Sequence, residues 1–374
     1  MASLSISGAL HASPSTLIYR PFSDWGSDIW STSLPEGENV LCIAAGQGFA
    51  AAATSAQLLR TFSPAGAQTS VLALTGPAVC LTAQPEGHLL AAVTHASAPD
   101  VATRSQRLRL EVYNTAEAGR LIERCDLALT PGSTLSWLGF TSDGLPCTAD
   151  STGVLRVRSP QYGGAWVPVL DTAAAARAAE AWWPVGLSGD ALTCIVCPRA
   201  HPHPVLHPRP IFTRAPLRLP LLAVEGGRPE LESDLLLRSI TGSALRRRLS
   251  VARGAAGRPA EVGVCVGGFG EGGVESVEDE AGLEEELRQH STEVDACLLK
   301  LVHAALEGGC QVSGVWASRY GARMIGDGLG RGYNRSSVGP CGAHFSTLPH
   351  TRMNRMLTSP AAAGACLGIG EPPE

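Results

Sequence analysis

Residues 135–157, LSWLGFTSDGLPCTADSTGVLRV, place two turn sequences, TSDG and DSTG, between short runs of strand-forming residues. Asp and Ser favour tight turns because their side chains hydrogen-bond the nearby backbone, and Gly adopts positive φ angles at no steric cost. The flanking Leu, Val, Phe and Trp are typical of β-strands. The stretch therefore predicts strands joined by two tight turns.

The same phrase occurs earlier in the chain, as GFAAAATSAQLLRTF in residues 48–62. Aligned without a gap, the two copies coincide at five pairs: Gly48/Gly144, Ala53/Ala149, Ser55/Ser151, Leu59/Leu155 and Arg60/Arg156. A looser third copy lies between them, with GHLLAAVTH from Gly87, an insertion ASAPDVATRSQ, and then RLRLEV. The offset between the first two is a little over twice the period of about 40–45 residues of a propeller blade. We therefore predict a β-propeller in which each copy forms the inner strands of a four-stranded blade.

The amino-acid composition limits which classes of protein this chain can belong to. The chain has 374 residues, of which 44% are hydrophobic and 17% charged, enough for a large core. With 29 Lys and Arg against 34 Asp and Glu, the net charge of −5 does not favour wholesale nucleic-acid binding, because phosphate-binding domains carry a basic excess. No apolar run is long enough to span a bilayer, and the N-terminus has no basic signal-peptide region. The eleven scattered cysteines are typical of reduced thiols in an intracellular protein.

Changes in amino-acid composition and hydrophobic pattern divide the chain into four regions. We expect a disordered N-terminus in residues 1–15, the β-propeller in 16–228, and a disordered low-complexity tail in 309–374. Residues 229–308 are expected to form part of a helical bundle, with helices over 231–249 and from about Ser276 to Gly308, and a Gly-rich linker at 254–273. The predicted fold class is therefore mainly β, followed by a partial α-helical bundle.

Residues 268–273, GFGEGG, match the GxGxxG pattern of dinucleotide sites. The pattern follows the strand-like EVGVCV and precedes a helix, as such a site requires. However, Glu271, Glu275 and Glu278 would place negative charge where a pyrophosphate binds, and no further βαβ unit follows. A flexible linker is the favoured interpretation, and no cofactor is predicted.

A CxxC pair, Cys194 and Cys197, precedes His201, His203 and His207, and this combination of residues can bind zinc. The cysteines lie in an apolar strand pattern, and prolines separate the histidines. A closed tetrahedral site would need a hairpin at this point. Buried strand thiols followed by a Pro-rich crossover are the favoured interpretation, with zinc as the alternative.

Several other residues could have either a structural or a functional role. Asp150 and Ser151 with His95 could form a nucleophilic site, but Asp150-Ser151 equally suits a turn, as the matching Thr54-Ser55 indicates. The basic run Arg246–Arg248 indicates a solvated helix face, or alternatively a nuclear-import or phosphate patch. Asn334 begins a glycosylation sequon.

Trp182-Trp183 could be an exposed anchor or a buried aromatic pair, and the buried pair is favoured. No catalytic residue is predicted.

One protein family resembles this chain over residues 16–306. It comprises the eukaryotic replisome adaptors called chromosome transmission fidelity protein four, minichromosome loss protein, and acidic nucleoplasmic DNA-binding protein. The matching phrases are PFSDWGSDIW (21–30), GQGFAAAATSAQLLRTFSPAGAQ (46–68), LALTGPAVCL (72–81), LSWLGFTSDGLPCTADSTGVLRV (135–157), WVPVLDT (166–172), AEAWWPVGL (179–187), LTCIVC (192–197) and HPRPIF (207–212), followed by weaker similarity in LLLRSI (235–240) and VDACLLKLVHAAL (294–306).

The resemblance implies a six-bladed propeller followed by a helical bundle, in a protein that forms a homotrimer. In the family, the bundles receive short peptides from the replicative helicase assembly and from DNA polymerase alpha. The resemblance therefore implies a nuclear, chromatin-associated replication adaptor that supports chromosome maintenance and sister chromatid cohesion. It implies no catalytic, cofactor or metal site, and its partner-binding residues cannot be assigned to this sequence.

Three departures from the family pattern are expected. The chain lacks the N-terminal WD-repeat domain, begins inside the propeller with about one blade missing, and replaces the later helices of the bundle after Gly309. The propeller is therefore expected to be incomplete and to expose strand edges. The alternative functions are a generic propeller scaffold outside replication and a propeller enzyme, because a fold alone does not choose a function.

Overall fold

The computed structural model describes residues 1–22, 29–103, 105–205, 207, 209–221, 228–256 and 275–307. Within them, nineteen strands form five antiparallel sheets that follow one another along the chain. The strands are β1 (Ala2–Leu4), β2 (Gly8–Ala12), β3 (Thr16–Pro21), β4 (Trp30–Ser33), β5 (Val40–Gly46), β6 (Phe49–Thr54), β7 (Leu58–Phe62), β8 (Gln68–Ala73), β9 (Ala78–Ala83), β10 (Leu89–His95), β11 (Leu108–Asn114), β12 (Arg120–Asp126), β13 (Leu135–Phe140), β14 (Pro146–Asp150), β15 (Val154–Ser159), β16 (Ala165–Asp171), β17 (Glu180–Ser188), β18 (Ala191–Pro198) and β19 (Phe212–Pro216).

The sheets have the simplest possible topology, because consecutive strands pair in order. Sheets one to four contain β1–β4, β5–β8, β9–β12 and β13–β16, and the fifth contains β17, β18 and β19. The first strands of successive sheets contact one another in series, from β1 through β5, β9 and β13 to β17. This arrangement of four-stranded meanders around their first strands is a β-propeller and confirms the predicted fold class.

The three copies of the repeated phrase occupy the middle strands of their sheets. They form β6–β7, β10–β11 and β14–β15, so the predicted strand–turn–strand unit is confirmed. In the fourth sheet, TSDG joins β13 to β14 and DSTG joins β14 to β15, as the two tight turns were predicted to do. The related turn of the second sheet lies two sheets earlier.

The N-terminus differs from the prediction. Residues 1–15 were expected to be disordered, but they contribute β1 and β2 to the first sheet. Leu10 of β2 is fully buried and packs with Leu17 and Tyr19 of β3 in a core cluster shared with the second sheet. A short Ser- and Ala-rich segment gives a weak sequence signal, and tertiary burial of this one leucine outweighs it.

A hydrophobic cluster fills each junction between neighbouring sheets. Leu59 of the second sheet and Leu90 of the third, for example, are both fully buried in one cluster. At about 25 cal/mol per Å² of apolar area removed from water, such layers supply the main stabilisation of the sheet-to-sheet packing. In the described part of the chain, no comparable contact joins β17 back to β1.

Among the described residues, three α-helices accompany the sheets: α1 (Thr172–Ala175), α2 (Arg228–Ala256) and α3 (Glu275–Glu307). Leu237, Ile240 and Ala244 of α2 are buried in the cluster between the fourth and fifth sheets, which seats the helix on the propeller. The predicted Gly-rich linker begins too early, because residues 254–256 belong to α2. The rest of that linker and residues 309–374 lie outside the described residues. None of the described helices is both long and apolar enough to cross a membrane.

Candidate functional site

The carboxylate of Asp150, the last residue of β14, accepts six hydrogen bonds. Its Oδ2 receives the backbone N–H of Thr130 at 3.1 Å, the Thr130 hydroxyl at 2.7 Å and Nη1 of Arg156 at 2.6 Å. Its Oδ1 receives the backbone N–H and the hydroxyl of Thr152 and the backbone N–H of Val154. The side chain is fully buried. These six hydrogen bonds occupy the carboxylate and fix the DSTG turn.

This network fits a structural role for Asp150. Burial alone would raise the pKa of the Asp150 carboxyl, but the hydrogen bonds from Thr152, Arg156 and Thr130 outweigh it and hold that pKa well below its usual range. Ser151 accepts the backbone N–H of Thr134, and His95 lies in β10 of another sheet. In the described part of the chain, no hydrogen bond links His95 to Asp150 or Ser151, so the structure does not bring together the nucleophilic arrangement considered from sequence.

Buried carboxylates paired with arginines also lie in the second and third sheets. In the second, Glu38 accepts two hydrogen bonds from Arg60, at 2.8 Å from Nε and 2.6 Å from Nη2. In the third, the fully buried Glu111 accepts from Nε of Arg124 and from the Tyr113 hydroxyl. The coinciding arginines of the repeat, Arg60 and Arg156, are thus both partners of buried carboxylates. The sequence pattern aligned the arginines and placed Asp150 in a turn, but it did not reveal the ion pairs, because Glu38 and Asp150 do not align.

Cys194 and Cys197 lie in β18 as buried thiols. Cys194 belongs to the core cluster between the fourth and fifth sheets, and burial raises the pKa of both thiols. A spacing of three residues in a strand directs the two side chains to opposite faces of the sheet. No group of three or more His, Cys, Asp or Glu among the described residues could hold a metal ion. His201 and His203 are exposed and lie beyond the strand.

Helices α2 and α3 form an antiparallel pair joined by complementary charge. Arg253 of α2 pairs with Glu280 and Glu284 of α3, and Arg238 pairs with Glu293. Arg248 lies 3.5 Å from Asp143 of the TSDG turn and 3.9 Å from Glu286. The last arginine of the basic run thus connects the helical pair to the propeller.

Two open grooves border the helical pair. The first, of about 430 Å³, lies between α2 and the third and fourth sheets, and its lining includes Leu89, Arg120, Ile122, Arg247, Arg248 and Leu283. The second, of about 460 Å³, lies where α2 and α3 meet the fifth sheet, and its lining includes Asp190, Asp234, Leu237, Arg238, His290 and Glu293. Both grooves mix apolar and charged side chains, as surfaces that bind other proteins do.

The two neighbouring tryptophans, Trp182 and Trp183, differ in how deeply they are buried. Trp182 packs against the cluster between the fourth and fifth sheets, whereas Trp183 is 38% exposed. The expectation of a buried pair therefore fits Trp182 and is wrong for Trp183, because the two neighbouring strand residues face opposite ways. The GxGxxG match at 268–273 and the sequon at Asn334 lie outside the described residues.

Comparison with known proteins identifies a family for this chain. Residues 1–221 match the family model described as "Minichromosome loss protein, Mcl1, middle region". Protein ENHANCER OF LHP1 1 of Arabidopsis thaliana is 37% identical over 309 residues, which cover 81% of this chain and 30% of the relative. WD repeat and HMG-box DNA-binding protein 1 of Homo sapiens is 35% identical, over 56% of this chain and 19% of the relative.

The fission yeast relative carries the family name itself. Minichromosome loss protein 1 of Schizosaccharomyces pombe is 30% identical, over 59% of this chain and 28% of the relative. The chain thus spans less than a third of the length of each of these three relatives. Because the family model covers more than half of the 374 residues, the chain belongs to the family of minichromosome loss protein Mcl1, whose middle region it matches.

Proposed function

We propose that this chain is the propeller and helical part of a non-enzymatic replisome adaptor. In this proposal it acts in the nucleus, self-associates, and couples the replicative helicase to DNA polymerase alpha, which supports chromosome maintenance and cohesion. The observation that carries the proposal is the match of residues 1–221 to the Mcl1 middle region. The name "WD repeat and HMG-box DNA-binding protein 1" of other relatives supports a role at DNA.

The structure supports a scaffold in two ways. Buried acids paired with arginines tie strands together within three sheets, and the two grooves beside the helical pair offer surface to partners. If several copies assemble, one partner bound to one copy raises the effective concentration of a second partner bound to the next. Coupling the helicase to the polymerase therefore needs no chemical reaction in the adaptor itself.

A non-enzymatic role fits the chemistry of the buried acids. Asp150, Glu38 and Glu111 are each paired with an arginine, so none is poised as a general base. A generic scaffold outside replication is the alternative. It predicts the same rigid propeller but different partners, so partner identity is the deciding measurement.

The test is affinity capture of the full-length gene product from nuclear extract, with DNA polymerase alpha and helicase subunits quantified by mass spectrometry. We expect both to be enriched with the wild-type protein. The double variant Glu280→Arg/Glu284→Arg reverses the charges that pair with Arg253 and should reduce that enrichment. The matched control is Glu285→Arg, whose partner Arg288 lies on the same helix. Capture of neither partner by the wild-type protein would overturn the replisome role.

Self-association is tested separately by light scattering of the purified chain. We expect a mass of several copies, and a strict monomer at micromolar concentration would contradict this part of the proposal.

A further inference from the structure

The basic run on α2 is followed almost at once by a serine. Residues 246–251 read RRRLSV, so Ser250 has Arg247 three positions before it and Arg248 two positions before it. Protein kinases whose substrate grooves carry carboxylates select serines by this charge pattern, because each arginine pairs with an acid in the groove. The sequence around Ser250 therefore has the pattern of a phosphorylation site.

The side chains that such a kinase must contact lie on the surface of α2. Ser250 is exposed, and its hydroxyl donates to the backbone carbonyl of Arg247 at 2.8 Å. Arg246 and Arg247 are also exposed, and neither pairs with a carboxylate among the described residues. Arg248 differs, because it lies 3.5 Å from Asp143 of the TSDG turn. The serine and two of the arginines are thus free to contact a partner enzyme.

The end of α2 that carries Ser250 is anchored more weakly than the middle of the helix. From residue 246 to the end of α2 at Ala256, Leu249 is the one buried apolar side chain among those that the structure describes, and Gly254 is a poor helix former. The buried apolar side chains earlier in the helix are Leu235, Leu237, Ile240, Ala244 and Leu245. A kinase binds its substrate as an extended segment, so this end must open. Weakly anchored helix ends open locally, and a minor state of this kind is populated at about 0.1–10%.

We propose that Ser250 is a phosphorylation site for an arginine-directed serine kinase, and that the phosphate draws Arg253 away from α3. In the reaction, Oγ of Ser250 forms a bond to the γ-phosphorus of ATP, the bond from that phosphorus to the β-phosphate oxygen breaks, and ADP leaves. The catalytic base of the kinase accepts the hydroxyl proton. This site goes beyond the adaptor function proposed above, because it concerns how the helical pair is regulated.

The new phosphate has arginines within reach on its own helix. Ser250 has arginines four and three positions before it and Arg253 three positions after it, and side chains at these spacings are neighbours on a helix surface. A phosphoserine carries a charge of about −1.5 to −2 at pH 7, so it competes with Glu280 and Glu284 for Arg253. Phosphorylation therefore weakens the charged contact between α2 and α3.

The first test is treatment of the folded full chain with a kinase, ATP and Mg²⁺. The enzyme is the catalytic subunit of the cyclic-AMP-dependent protein kinase, which selects serines preceded by arginines at these two positions. Peptide mapping by mass spectrometry locates the phosphate, and we expect it at Ser250. Arg247→Gln should lower the initial rate about tenfold, because one charged contact to the kinase is lost.

Two serine variants of the same helix control this assay. Ser250→Ala should abolish the modification. Ser243→Ala should leave it unchanged, because the hydroxyl of Ser243 also donates to a carbonyl of α2 but has no arginines two and three positions before it. Phosphate that enters Ser250 only after urea denaturation would overturn the proposal, since the folded helix would then keep the serine from the kinase.

The second test is hydrogen exchange of the phosphorylated chain, followed by mass spectrometry. Exposed ion pairs are weak, so we expect the backbone amides of residues 280–286 to exchange about threefold faster, and those of the second sheet at an unchanged rate. The kinase-treated Ser250→Ala chain controls for the treatment itself. Unchanged exchange across α3 would refute the loss of the Arg253 contact. No polymerase or helicase enters either test, so the outcome is independent of the replisome role.

Discussion

Two hairpin turns of the propeller, residues 54–57 in the second sheet and 150–153 in the fourth, share a backbone but differ in chemistry. In both, the serine at the second position, Ser55 or Ser151, accepts a backbone N–H from the segment before its sheet. In both, the fourth residue has a positive φ, 56° at Gln57 and 97° at Gly153. The turn geometry is therefore common to the two sheets.

The difference lies in how each sheet supplies its buried carboxylate. The fourth sheet has Asp150 at the first turn position, where the second has Thr54. There the acid comes instead from Glu38, ahead of β5, which accepts two hydrogen bonds from Arg60. The aligned arginine and its ion pair are kept while the acid changes place. Satisfying a buried guanidinium is thus the shared requirement, and the position of the acid is free.

The two carboxylates also differ in how firmly they are held. Asp150 is fully buried and receives six hydrogen bonds, which join the turn, β15 and the segment before β13. Glu38 is 7% exposed, and its hydrogen bonds from Arg60 join β7 to the segment before β5. The fourth sheet should therefore depend more on its acid than the second does.

Acid pH should weaken the stabilisation that both networks provide and give the largest effect. The hydrogen bonds from Arg60 lower the pKa of Glu38, and the network described above lowers that of Asp150. A carboxyl whose pKa is lower in the folded than in the unfolded state stabilises the fold above its unfolded pKa. That stabilisation is lost as the pH falls below about 4 and through the folded pKa values.

Thermal melting between pH 7 and pH 2.5 checks this prediction. We expect Tm to fall steeply below about pH 4. The slope should be shallower in the Asp150→Asn/Glu38→Gln double variant, which has neither titrating group. The same slope in the wild type and the double variant would show that other groups control acid unfolding.

Asp150→Asn should be the most damaging single substitution of the pair. Removing one charge from a buried ion pair leaves Arg156, which is 12% exposed, without its counter-ion and costs about 3–5 kcal/mol. Urea unfolding measures the free energy. Asp126→Asn is the control, because its 75% exposed carboxylate should contribute only about 0–1 kcal/mol. Asp150→Asn/Arg156→Met should recover part of the loss, and no recovery would show that the threonine hydrogen bonds dominate.

The sequence predicted the turns more completely than the ion pairs, for a physical reason. A turn is encoded within four residues, so TSDG, DSTG and their earlier relative could be recognised directly. The Glu38–Arg60 pair joins residues 22 positions apart and depends on the register between strands, which no local pattern records. The same limit applies to residues 1–15, whose strands depend on burial against the second sheet.

Glu38→Gln should cost less than Asp150→Asn. Gln keeps one acceptor oxygen for Arg60, but its NH2 group is a donor and cannot accept the second hydrogen bond. One of the two hydrogen bonds is therefore lost, and because the site lies nearer to solvent we expect a loss of about 2–3 kcal/mol in the free energy of unfolding. Glu36→Gln is the control, since this exposed neighbour lies two residues away. A larger loss for Glu38→Gln than for Asp150→Asn would reverse the ranking of the two sheets.

Exchanging the fourth turn residue should give the smallest effects, of opposite sign in the two sheets. At Gly153, an added Cβ would lie 2.7 Å from Oγ1 of Thr172 and 2.9 Å from the backbone N of Ala173. Together with its positive φ, this crowding should make Gly153→Ala cost about 1–3 kcal/mol.

At Gln57, Gly would relieve a left-handed conformation worth about 1–2 kcal/mol but would add flexibility to the unfolded chain worth about 0.5–1 kcal/mol. Gln57→Gly should therefore raise the free energy of unfolding by about 0.5 kcal/mol. Urea unfolding of both variants checks the pair. A loss of stability in Gln57→Gly would mean that this side chain makes a favourable contact, so that the two turns differ in packing as well as in the source of their acid.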